Sequence, residues 1–383
     1  MTTPDNPIDG LPRLEDLGDL DGKRVLVRTD WNVPLDDGRI VDDLRITASR
    51  PTLQWLSDQG AQITVATHLG RPKGQVVPEL STTPLAERLQ AMVPGAQMLE
   101  NLRFDPGETA NDPATVDRLT DGQDLYVNDA FGVSHRAHAS VVGPPSRLPS
   151  AAGRLLFDEV EVLGGIRSRP RRPFVVALGG SKVSDKLGVI EALVGIADSL
   201  VIGGGMCFTF LAAQGHAIGS SLFEPDHLDA CGELLASDAT IHLPTDLVAM
   251  SADGKLFDPS VGGEVRQTGP DVPDGWAGFD IGPETAGTFA DIIAEAGTVL
   301  WNGPMGAFED PRFVAGTRTV AEAVAETHGY SVIGGGDSNA AIAQFGLRDS
   351  IDHASTGGGA SLELLEFGDL PGLRALREAI HVR

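Results

Sequence analysis

The chain has 383 residues, more than one ordinary core of about 100–200 residues organises, so two lobes with a cleft between them are expected. Its formal charge of −25 argues against a nucleic-acid or anionic-membrane surface, both of which need a positive field. A mean hydropathy of −0.03, no apolar run long enough to span a bilayer and only two cysteines, Cys207 and Cys231, point to a cytoplasmic globular protein without a disulfide framework.

Along the first half, strand-like and helix-like patterns alternate. A strand is predicted over 23–34, a helix over 43–59 and a strand over 61–68, followed by strands near 96–99 and 124–127 and a helix over 152–166. A proline and arginine cluster at 167–173 reads as a linker. The second half restarts with strands at 173–180 and 199–205, each followed by a helical stretch (184–197 and 206–214). A turn-rich insertion with strand-like pieces occupies 248–275, and alternation resumes at 297–303 and continues to 368. The pattern is α/β: two doubly wound parallel-sheet, Rossmann-like domains separated by a cleft.

Three Gly triplets lie in the second half: Gly203, Gly204 and Gly205; Gly334, Gly335 and Gly336; Gly357, Gly358 and Gly359. Together with Gly179 and Gly180 they stand at predicted strand ends, where helix N-termini present free N–H groups and a favourable dipole to anions. Neither a G-x-x-x-x-G-K-[ST] loop nor a G-x-G-x-x-G turn after a strand occurs, so the anion site is of another kind. Asp337 follows one triplet directly, which suits either a magnesium ion held between carboxylate and phosphate or an N-cap. Of 29 basic residues only Lys23, Lys73, Lys182, Lys186 and Lys255 are lysine. Lys182 and Lys186 are expected one helical turn apart, facing one mouth beside Gly180.

The first half instead gathers arginines and histidines after its strands: Arg28 with Asp30 and Asn32, Arg45, His68 with Arg71, Arg136 with His138, and Arg172 near the linker. Guanidinium forks converge on carboxylate and phosphate, so a small polyanionic acid is the expected ligand. Asp30 would balance charge and orient a ligand hydroxyl, while His135 reads as a structural hydrogen-bonding residue.

The segments VRTDWNVPL, DDLRI, HLGRPKG, ENLRFDPGE, YVNDAFGVSHRAHAS, LGGSKVSDK, GGGMCFTFL, LWNGPMGAFE, GGGDSNAA and STGGGASLELL occur in that order from Val27 to Leu365. In this the chain resembles the phosphoglycerate kinases. The resemblance implies reversible phosphoryl transfer between 1,3-bisphosphoglycerate and Mg-ADP in glycolysis, by a hinge-bending cytoplasmic monomer with no nucleic-acid or membrane partner. It places 3-phosphoglycerate in residues 1–170, with the tail 369–383 packing back on that domain, and ADP or ATP in 171–368, an interdomain helix joining the two. The implied acid-binding residues are Asp30, Asn32, Arg45, His68, Arg71, Arg136 and Arg172, the last with Arg169 and Arg171 as competing registers. The implied nucleotide-binding residues are Lys186, Gly203, Gly204, Gly205, Glu309, Gly334, Gly335, Gly336, Asp337 and Ser338, with Asp337 on Mg²⁺. The implied catalytic set is Arg45, Lys182, Gly358 and Gly359. Trp31, where phenylalanine is usual, Val133 with Ser134, and Asn339 depart from the family pattern.

Overall fold

The computed structural model describes residues 6–379, which form two compact units dividing within a helix at Gly164/Gly165 and again at Glu366/Phe367. The first unit takes the residues up to Gly164 together with those from Phe367 on. Its strands are β1 (Arg24–Thr29), a hairpin of β2 (Leu35–Asp36) and β3 (Arg39–Ile40), β4 (Gln62–Ala66), β5 (Gln97–Met98), β6 (Leu125–Asp129) and β7 (Ser150–Ala152). Its helices are α1 (Leu44–Ala48), α2 (Arg50–Asp58), α3 (Thr83–Met92), α4 (Pro106–Ala110), α5 (Pro113–Thr120) and α6 (Ala139–Val142), and α7 (Arg154–Ser168) crosses the division. The second unit holds β8 (Phe174–Leu178), β9 (Ser199–Ile202), β10 (Ile241–His242), β11 (Leu247–Ser251), β12 (Val265–Thr268), β13 (Trp276–Ile281), β14 (Thr298–Asn302), β15 (Tyr330–Gly334) and β16 (His353–Ala354). Between them run α8 (Leu187–Val194), α9 (Cys207–Ala213), α10 (Leu228–Leu235), α11 (Pro283–Ala294), α12 (Ala315–Glu326), α13 (Gly336–Phe345) and α14 (Gly359–Phe367), and α15 (Pro371–Arg377) returns to the first unit.

Both main sheets are parallel and doubly wound, as the alternating pattern predicts. The first has the order β5-β4-β1-β6-β7, the second β10-β9-β8-β14-β15-β16. In each, the order reverses beside the unit's first long strand, between β1 and β6 and between β8 and β14. A crevice opens at such a reversal beyond the carboxyl ends of the strands, so each unit offers one ready site. The central strands β6, β8 and β14 are buried along their whole length, as parallel strands covered on both faces must be. The turn-rich insertion folds as an antiparallel sheet, β12-β11-β13.

Local chemistry moves several predicted boundaries. The single helix expected over 43–59 is two, because Pro51 stands in the first turn of α2 and lacks the N–H that a continuous helix would use. Residue 152, expected to open a helix, instead ends β7, and α7 runs on to Ser168 into the expected linker. Lys182 and Lys186 share no helix: α8 begins only at Leu187, after a run of turns. Trp31 is wholly buried, and its additional N–H is met by Ser49 Oγ at 2.8 Å. Ser134 anchors the returning chain: its carbonyl accepts from Gly372 N at 2.8 Å, next to the buried Leu370 and Leu373 of the α15 region.

Three buried carboxylates cap helices from strand ends. Asp246 accepts from Glu284 N and Thr285 N at the start of α11, and Asp280 from Gly316 N at the start of α12. Asp129, at the end of β6, accepts from Leu155 N at 3.0 Å and Leu156 N at 3.4 Å in the first turn of α7. Gly153 is what lets it approach, since a methyl there would lie 2.1 Å from Asp129 Oδ1. Gly153→Ala is therefore expected to cost about 1–3 kcal/mol of stability. Gly165→Ala, within α7 and meeting nothing within 4 Å, is expected to gain up to about 1 kcal/mol. Denaturant unfolding of the two variants checks the contrast; equal stabilities would contradict the packing argument.

Candidate active site

The first unit's crevice is built on one carboxylate. Asp30 follows β1 and is only 7% exposed. Arg45, from α1, places Nη1 2.5 Å from Asp30 Oδ2. The other oxygen, Oδ1, is buried without a hydrogen-bond partner among the described residues. His68 Nδ1 lies 3.6 Å from that oxygen and 3.3 Å from Nη2 of the fully buried Arg28. Asn32 points its side-chain oxygen at Gly70 N, 2.9 Å away, and so ties the loop after β4 to the loop after β1.

Arg103, which the residue-type reading left out, belongs to the same cluster. It donates to the Gly70 carbonyl at 2.9 Å, while Asn101 clasps Leu69 through both its N–H and its carbonyl. The signal was present in the ENLRF segment, but only the pairing of β4 with β5 brings it beside HLGR. Arg71 and Arg136 are exposed and pair with no carboxylate among the described residues.

The histidines register the resulting field. Burial holds His68 well below its ordinary pKa, and Arg28, Arg103, Arg45 and His138 add to the effect. His138 is pushed down to about 4 by burial, then by Arg103, Arg28 and Arg136; His135 also falls to about 4, by burial, then by Arg136 and His138. Both are neutral at pH 7, so the arginines supply the pocket's positive charge. Arg172 has another partner. It precedes β8 in the second unit, exposed, and pairs with Asp198 at 2.8 Å at the amino end of that sheet, with Arg169 and Arg171 also exposed.

In the second unit the crevice between the ends of β8 and β14 holds a pocket of about 160 Å³. Gly180, Lys182, Lys186, Gly335, Gly336, Asp337 and Ser338 line it, together with Ser181, Asp185, Asn302 and Gly303. Lys186 Nζ donates to Asn302 O at 2.8 Å and to Asn302 Oδ1 at 2.5 Å. Burial lowers its pKa to about 8, against the opposing pull of Asp337 and Asp185. Lys182 is exposed and free of ion pairs among the described residues. Asp337 is exposed in the first turn of α13, whose N-cap is Gly335, so Asp337 does not cap the helix. Ser338 Oγ accepts from Gly303 N at 2.6 Å and shapes the floor.

The glycine triplets divide in role. Gly203 N donates to Leu178 O and Gly204 N to Met305 O, so these two amides are not the free donors expected of them. Gly204, at φ +67°, is required by packing: a methyl on it would sit 2.6 Å from the Gly180 backbone. Gly336 has open space around it, and so has Gly358 at φ +54°, with Gly359 exposed beside it as the first residue of α14. Glu309 is exposed in the loop after β14.

Comparison with known proteins agrees with this architecture. The family model described as Phosphoglycerate kinase matches residues 14–97 and 92–367. The phosphoglycerate kinase of Rubrobacter xylanophilus is 47% identical over 387 residues, covering 94% of this chain and 97% of that protein. That of Corynebacterium urealyticum is 50% identical over 393 residues, covering 93% and 96%. Among solved structures, phosphoglycerate kinase from Coxiella burnetii superposes with a TM-score of 0.86 at 37% identity, covering 96% of this chain and 98% of that one. The Pyrococcus horikoshii enzyme gives 0.81 at 30% identity, covering 96% and 99%.

The lowered pKa of Lys186 fixes the sign of a pH effect. The ammonium is charged below about 8 and neutral above, so anion binding in its pocket should weaken as pH rises through that value. A bound phosphate moves the midpoint upward. Calorimetric titration with ADP between pH 7.5 and 9.5 is expected to show Kd rising toward tenfold per pH unit at the upper end, with the step absent in Lys186→Met. A flat profile in the unaltered protein would contradict the assignment.

Proposed function

The chain belongs to the phosphoglycerate kinase family, and from that premise we propose that it moves a phosphoryl group in line between 1,3-bisphosphoglycerate and Mg-ADP, with the acid in the first unit and the nucleotide in the second. The observation that carries the first assignment is the partnerless, buried Oδ1 of Asp30, with Arg45 on the other oxygen and Arg28 and Arg103 acting on the adjacent His68. Such a site satisfies a ligand that is both polyanionic and hydroxylated: the arginines Arg45, Arg71, Arg103 and Arg136 answer its charges, and the carboxylate accepts from its hydroxyl. The same asymmetry is expected to favour a hydroxylated acid, since one lacking the hydroxyl leaves Asp30 Oδ1 unsatisfied.

The second assignment draws support from the pocket where Lys182, Lys186, Asp337 and the start of α13 converge. One exposed carboxylate next to phosphate-binding amides is the donor set that Mg²⁺ accepts alongside phosphate oxygens. Asp337 would hold the ion, and the ion would neutralise charge on the diphosphate. Glu309 is the proposed ribose contact.

No general base is required, because the attacking group is already an anion in either direction: the terminal phosphate oxygen of ADP toward ATP, with the carboxylate leaving, and the carboxylate of 3-phosphoglycerate in reverse. The residues instead have to neutralise and align the moving group. Arg45 and Lys182 are assigned to that task, with the amides at Gly358 and Gly359. Placing the ligands on separate units makes closure of the units part of the cycle, with water expelled as they meet. We take the protein to work as a cytoplasmic monomer; among the described residues no helix is long and apolar enough to cross a membrane, and both cysteines are free and buried.

ATP formation from 1,3-bisphosphoglycerate and Mg-ADP tests the reading directly; no ATP above the uncatalysed background would refute it. The two catalytic cations should differ in their kinetics. Lys182→Ala is expected to lower kcat by about 10²–10³ with KM for 3-phosphoglycerate nearly unchanged. Arg45→Ala should lower kcat comparably and also raise that KM, because Arg45 is the ion-pair partner of Asp30. Asp337→Asn is expected to weaken Mg-ADP binding and leave 3-phosphoglycerate affinity intact; equal losses for both ligands would make Asp337 structural.

A further inference from the structure

We propose that Arg28 is a positioning residue that holds His68 in its neutral, Nε2-protonated form, through a buried relay running from Glu108 by way of Ser140. Arg28 Nη2 lies 3.3 Å from His68 Nδ1, and an arginine carries donors only, so Nδ1 must present its lone pair. The competing partner of Nδ1 is Asp30 Oδ1 at 3.6 Å, which would require the proton on Nδ1. That separation is too long for a hydrogen bond.

Arg28 cannot readily turn away. It is fully buried, its Nε donates to Ser140 Oγ at 2.8 Å and its Nη1 donates to the Thr29 carbonyl. Ser140 is fixed in turn, with Oγ donating to Glu108 Oε1 at 2.6 Å and N donating to Glu108 Oε2 at 2.9 Å. Tyr126 OH closes the arrangement on the Ser140 carbonyl at 2.8 Å. Every hydrogen bond in this line runs in one direction: Arg28 donates to Ser140, whose hydroxyl then has its own proton free for Glu108. Glu108 is 1% exposed and Ser140 2%, so the line is sealed from water, and the glutamate offsets the buried guanidinium through the hydroxyl. The suppression of His68 protonation by burial and by the surrounding arginines points the same way.

The consequence for the reaction is directional. A neutral ring with Nδ1 occupied offers Nε2–H as its remaining polar group, a donor suited to a phosphate or carboxylate oxygen. The opposite tautomer would turn an acceptor toward the anion. Arg28 thus acts on the ligand through His68 and sets KM more than kcat. This consequence rests on the assignment of 3-phosphoglycerate to the first unit, whereas the tautomer itself does not.

Imidazole ¹⁵N spectra of the ligand-free full-length protein test the proposal. His68 is expected as the pure Nε2–H tautomer. In Arg28→Met it should shift to Nδ1–H, now directed to Asp30, with KM for 3-phosphoglycerate raised roughly tenfold and kcat changed far less, as loss of one charge-assisted hydrogen bond implies. Ser140→Ala loosens the same relay without removing a buried charge, and serves if Arg28→Met does not fold; it should give mixed tautomers. An Nδ1–H ring in the unaltered protein, or an unchanged Nε2–H ring in every variant that folds, overturns the proposal. Failure of 3-phosphoglycerate to bind would overturn the assignment of the acid site and leave the tautomer result to stand on its own.

Discussion

The pairing of Asp30 with Arg45 decides the character of the first unit's crevice. A carboxylate 7% exposed has given up most of its water, and the guanidinium 2.5 Å away compensates for that loss. Burial first, and the neighbouring arginines second, hold His68, His135 and His138 below their ordinary pKa. Strip out the carboxylate and the pocket becomes a plain cluster of arginines open to any anion. With it in place, a buried acceptor, Oδ1, is left without a partner among the described residues.

The two units build their crevices differently on related topologies. Each sheet reverses its strand order beside its first long strand, and each candidate pocket lies beyond that reversal. In the first unit the work falls to long cationic side chains whose geometry is imposed by loop staples such as Asn101 and Asn32. In the second it falls largely to backbone, where glycines at Gly180, Gly303 and Gly335 adopt positive φ and let strand ends crowd together. Among the described residues lysine is the only long cation lining that pocket, and the more buried of its two lysines is held by Asn302.

Much of this was legible in the residues. Alternating strand and helix patterns announced two doubly wound sheets, and the ordered segments from Val27 to Leu365 pointed to the family that the relatives share. What could not be read depends on contacts distant in sequence. Arg103 joins the Asp30 cluster only because β5 pairs with β4, and Arg28 looks like a loop ligand until Ser140, 112 residues away, accepts from it. The free amides expected at Gly203 and Gly204 are spent on Leu178 and Met305, neighbours that no local pattern reveals. Lys182 and Lys186 do line one pocket beside Gly180, but not as one helical turn, since four residues make a turn only where a helix has begun and α8 starts at Leu187. Arg172 sits in a proline-rich segment whose charge pairing with Asp198 depends on two adjacent strand entries.

The account stands or falls on two oppositely built sites, one of forks around a carboxylate and one of glycine-floored strand ends around a lysine. Crystals grown with 3-phosphoglycerate, ADP and Mg²⁺ present together test it most directly. The acid should lie against Asp30, Arg45, His68 and Arg103 with its hydroxyl on Asp30 Oδ1, and the diphosphate should lie between Lys186 and Asp337. Either ligand lodged on unrelated residues in well-defined density would contradict it.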